Sequence, residues 1–107
     1  MSTPKDKPKP ALDEGGLRHL INYALAHDYV DESDHSEFDH PERGISTDDV
    51  LHGLAQKDWK LIRQPNYDEE HRCWEYLIQT KDIEGDELEV KVAALPDYKR
   101  IIIITRW

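Results

Sequence analysis

Cleaving an RNA strand by acid–base chemistry takes three groups. One accepts the 2′-hydroxyl proton, one protonates the leaving oxygen, and a cation meets the phosphorane charge. In this chain His35 can fill either proton role and Arg43 can supply the cation. Arg72 and Arg106, both read as strand residues, can add phosphate contacts. The same residues also have an ordinary reading. Arg43 lies among many acids with which it can pair, and His35 is then a plain residue of a polar loop.

A second set has metal-ligand types. His27, Asp28, His35, Asp39 and His40 are close in sequence, and zinc takes nitrogen and carboxylate ligands in a tetrahedral set. His35 and Asp39 would share a helix face, but Pro41 interrupts a longer helix there. The spacing matches no established signature, so neither a metal nor a cofactor is expected. The single cysteine, Cys73, excludes an intramolecular disulfide and a CxxC site, and reads as a small, half-buried strand residue. A third set suits a protein partner, and its acids would suit a basic one. It combines an acidic loop with Trp59, Trp74, Tyr76 and Trp107 as interface anchors. The core is the competing place for Trp74 and Tyr76. Residues from Ile101 on can also pair edge to edge in a homodimer.

These side chains need elements to hold them. Leu17, Leu20, Ile21, Ala24 and Leu25 recur at helical spacing, which predicts an amphipathic helix over 12–27. Residues 28–42 contain seven acids and no lysine or arginine, and read as a long polar loop. A second helix is predicted over 46–57. Ser46 is its N-cap, Asp49 stands at the capping-box position, and Ile45 and Val50 form a staple. From Trp59 the period changes to that of strands. Trp59–Gln64 reads as a short strand stopped by Pro65-Asn66. Arg72–Lys81 and Glu87–Leu95 alternate, and Ile101–Trp107 is apolar on both faces, as in a covered or central strand.

The chain has 107 residues, 37% hydrophobic and 35% charged, with a net charge of −9. That suits one domain with its own core. Residues 1–10 hold three lysines against one acid, which leaves the body with 11 basic and 22 acidic residues. A body so acidic repels phosphate backbones at long range and disfavours non-specific nucleic-acid binding. No apolar stretch follows the lysines and prolines of the first ten residues. Neither a signal peptide nor a membrane span is expected, and the lone cysteine fits a cytoplasmic setting.

From His35 to Leu54 the sequence sets a histidine, then Glu42-Arg43-Gly44-Ile45-Ser46, then a helix opening Asp48-Asp49-Val50. Strands ending in Ile103-Ile104-Thr105 follow. This resembles an uncharacterised bacterial domain family grouped with the RelE/ParE-like toxin fold, over roughly residues 35–107. The resemblance implies that fold and, for a toxin of that kind, ribonuclease activity. It departs where members usually carry an arginine and a methionine, because Asp39 and His40 stand there, followed by Pro41. Positive charge is thereby removed from the place where a ribonuclease would need it.

The expected architecture is α+β, with two helices on one face of a small three- or four-stranded antiparallel sheet. It forms a single domain over 11–107 behind a disordered basic tail, 1–10. The expected function is a small acidic cytoplasmic binding or regulatory module. The alternative is a metal-independent ribonuclease with His35, Arg43, Arg72 and Arg106 as its site.

Overall fold

Asp13 starts the first helix in the computed structural model, which describes residues 10–33 and 45–106, Thr105 and Arg106 by backbone alone. Its carboxylate accepts from the Gly16 amide at 2.7 Å, satisfying an otherwise orphaned donor of the first turn. Helix α1 runs Glu14–His27 and ends at Asp28, a left-handed residue with φ 60°. Its buried stripe is Leu17, Leu20, Ile21 and Ala24, as the spacing predicts. Helix α2, Thr47–Leu54, carries the full capping box between Ser46 and Asp49. A second Asp49 oxygen accepts from the Ile83 amide at 3.2 Å, so the cap also ties down a distant turn.

The strands are β1 (Val30–Glu32), β2 (Lys60–Leu61), β3 (Asn66–Asp68), β4 (Cys73–Lys81), β5 (Glu87–Leu95) and β6 (Arg100–Arg106). They form one sheet in the order β1-β6-β5-β4-β2, with β3 also paired to β4. The fold class is α+β as expected, but the sheet is larger and not purely antiparallel. Its six strands include β1, which runs parallel to β6 with Val30 opposite Ile101. The acid-rich segment predicted to be loop thus contributes a strand. Three residues without alternation cannot announce one, and their partner lies far along the chain. The strand expected over Trp59–Gln64 shortens to Lys60–Leu61. Asn66, expected to stop it, instead opens the β3–β4 hairpin.

Both helices pack on one face of the sheet. There Leu17, Ile21, Val50 and Leu54 meet Tyr76, Ile78, Leu88, Val90, Val92, Ile101 and Ile103, all at most 1% exposed. Trp59 is 1% exposed, with the Arg18 guanidinium 4.1 Å from its ring centroid. It is therefore a core residue rather than an interface anchor. Tyr76 is core as well, and its hydroxyl accepts from the Leu12 amide at 2.8 Å. Trp74 is half-buried, edge-on to Tyr67 at 5.2 Å.

Strand β6 lies between β5 and β1, which explains its apolar run. Over Ile101–Ile103 it presents no edge for pairing with a second copy. No helix among the described residues is long and apolar enough to cross a membrane. The tail expected over 1–10 lies, except for Pro10, outside the described residues, as do Trp107 and the acidic stretch beyond Ser33.

Candidate functional site

The sequence-derived residues divide. His35 and Arg43 lie outside the described residues, and Arg106 is described as the β6 backbone position opposite Val90. Arg72 is the one whose side chain is placed. It ends the turn between β3 and β4, exposed, with φ 54°. Of the metal-ligand set, Asp39, His40 and His35 are outside the description. His27 is engaged otherwise, its ring packed between Tyr23 at 4.2 Å and Tyr29 at 5.7 Å. Asp28 is the left-handed cap of α1.

The site that does assemble is a groove on the sheet face away from the helices, a cavity of about 490 Å³. Period-two alternation builds it. Glu75 pairs with Ala93, and Ala93 with Ile102, so these three stand side by side on that face. Asp68 pairs with Cys73 one step along. Between Lys91 and Val92 the register with β6 slips by a bulge, and Ile104 joins Ile102 in the lining. Glu32 and Ser33 close the β1 end, and His71 stands at the other. The Glu32 carboxylate accepts from the Thr47 hydroxyl at 2.5 Å, while Ser33 donates its hydroxyl to the Ile104 carbonyl at 2.9 Å. The groove therefore crosses five strands, about 19 Å at the usual strand spacing of about 4.8 Å.

Its floor is apolar and its charged residues are acids. The nine lining residues include the acids Asp68 and Glu75, one histidine, and no lysine or arginine. Glu32, also among them, has its carboxylate on Thr47 of α2, on the helix side of the sheet. The Cys73 thiol senses that field. Burial first, then the Asp68 and Glu75 carboxylates, push its pKa above the ordinary thiol value. Cys73 thus stays protonated and unreactive.

At the rim, His71 Nδ1 lies 2.7 Å from Asp68 Oδ2. This hydrogen bond, with the carboxylate's charge, raises the His71 pKa and lowers that of Asp68. The other Asp68 oxygen accepts from the amides of Glu70 at 3.0 Å and His71 at 3.3 Å, an Asx turn that fixes the hairpin. Asp68, Glu70 and His71 together bring three ligand-type atoms within 4.8 Å, and the turn accounts for their meeting. The sequence reading passed over this group. Its signal was an aspartate at a strand end with a histidine three residues on, legible only if the hairpin is foreseen.

Over residues 33–106 the sequence matches a family described as Domain of unknown function (DUF4258). The chain belongs to that family. The DUF4258 region begins at Ser33, so α1 and β1 both precede it. These preceding elements nonetheless complete its structure, since α1 fills the core and β1 covers the β6 edge. No curated protein matches the chain.

Proposed function

We propose that this protein is a non-catalytic binding or regulatory domain of a bacterial cytoplasm. Its groove takes a basic, partly apolar segment of a protein partner. The observation that carries the reading is the groove's lining: an apolar floor of Cys73, Ala93, Ile102 and Ile104, with acids and no lysine or arginine. Such a surface attracts cations and repels phosphates. Residues of an extended segment rise about 3.3 Å each, so about six would cross the five strands. The test is an NMR titration of the protein with an acetylated, amidated hexapeptide of alternating leucine and arginine. The amides of Cys73, Ala93 and Ile102 shift, and Glu75→Lys removes the shifts. Shifts scattered over the surface, or confined to the helices, would refute the reading.

A metal-independent ribonuclease of the RelE type is the second reading, favoured by one observation. His71, held by Asp68, and Arg72 stand together on one exposed turn beside the groove. Incubation with total RNA in EDTA decides it, with His35→Ala, Arg43→Ala and His71→Ala alongside. Under this reading the wild type cleaves, and Arg43→Ala is inactive with an unchanged melting temperature. Intact RNA rejects it.

A further inference from the structure

The carboxylate at the rim of the groove already has a partner within the chain. His71 Nδ1 sits 2.7 Å from Asp68, and the histidine side chain is 68% exposed while that of Asp68 is 23% exposed. The imidazole is tethered by its own three-residue turn and faces open solvent, so it can swing away at small cost. The backbone amides of Glu70 and His71 stay on the other Asp68 oxygen when it does. Losing the imidazole therefore need not undo the hairpin.

We propose that His71 is a built-in competitor for the groove. Its imidazolium occupies the carboxylate that a ligand's ammonium or guanidinium would use, and basic segments bind more tightly once it is deprotonated or displaced. This rests on the groove reading above and adds its regulation. Among the described residues the titratable and charged groups around His71 are Asp68 on β3, Glu70 and Arg72 on the turn, and Cys73 and Glu75 on β4. The Asp68 hydrogen bond contributes most to holding the proton, followed by its charge, with smaller pulls from Glu70 and Glu75. The cation thus persists to a higher pH than that of a free imidazole and is lost as the pH rises further.

The experiment titrates the same leucine–arginine hexapeptide into the full chain at about pH 6 and about pH 8.5, at low salt, following the groove amides. Wild type should bind about 2- to 5-fold tighter at the higher pH, the size expected of one exposed ion pair. His71→Ala should bind at the lower pH as tightly as wild type does at the higher, with no remaining pH dependence. Asp68→Asn, which keeps the turn acceptor, should bind weakly at both. Equal wild-type affinity at both pH values, with His71→Ala unchanged and the groove amides still shifting, overturns the competitor and leaves the groove standing. If the groove amides shift in none of the folded proteins, checked by circular dichroism, both the groove and its regulation fall.

Discussion

Gly53 sits where α2 crosses the sheet, and replacing it with alanine tests that crossing. A Cβ built at Gly53 lies 2.5 Å from Thr80 Cγ2 and 3.1 Å from the Lys81 carbonyl oxygen. Thr80 is 6% exposed, and its hydroxyl donates to the Gly53 carbonyl at 2.7 Å. Turning Thr80 aside to clear the methyl would break that hydrogen bond, at about 1 kcal/mol. Keeping it forces the helix off the sheet, an overpacking cost of about 1–3 kcal/mol. Alanine regains about 1 kcal/mol of helix propensity. The balance for Gly53→Ala is a loss of about 1–2 kcal/mol, or about 5–10 °C in melting temperature for a domain of this size. Thermal unfolding followed by circular dichroism measures it. Thr80→Ser keeps the hydroxyl and removes the clashing methyl, so the double variant should recover more than half of the loss. That is a coupling of about 0.5–1 kcal/mol between the two positions. A melting temperature for Gly53→Ala at or above wild type would refute the close packing of α2 on β4.

Two further predictions follow from local geometry. Arg72 holds a left-handed φ of 54°, which costs about 1–2 kcal/mol in a residue with a Cβ. Arg72→Gly sheds that cost against about 0.5–1 kcal/mol of added chain entropy, so its urea midpoint should equal or exceed wild type. A clear drop would show that the arginine side chain stabilises the fold. The Asp49 pKa is lowered, mainly by the Ser46 amide, with the Ile83 amide adding to it. A depressed carboxylate stabilises above its unfolded pKa, near 3.8, and that contribution fades as pH falls through the lower folded value. Asp49→Ala should thus lose about 0.3–1 kcal/mol at neutral pH, and the gap from wild type should close well below pH 3.8. A gap that stays constant with pH would show that the carboxylate charge contributes nothing.

The sequence alone was enough for those features whose cause is local. Leu17, Leu20, Ile21 and Ala24 repeat with the helical period and bury one face whatever lies opposite. Ser46 and Asp49 satisfy each other's amides across three residues, so the start of α2 is written in four positions. The long alternations of β4 and β5 fix which side chains face the helices, and Tyr76 and Ile78 went into the core accordingly. Strand β1 was not readable, because Val30–Glu32 is extended only by virtue of Ile101–Ile103 beside it, and nothing local encodes a parallel partner so distant. The groove failed to appear for the same reason. Asp68, Glu75, Ala93 and Ile102 come from four strands, and one residue's change of register would send any of them to the opposite face. Composition could say that the chain is acidic. Only the pairing of β3, β4, β5 and β6 decided that acids and apolar side chains meet in one concave surface, with a histidine already on its rim.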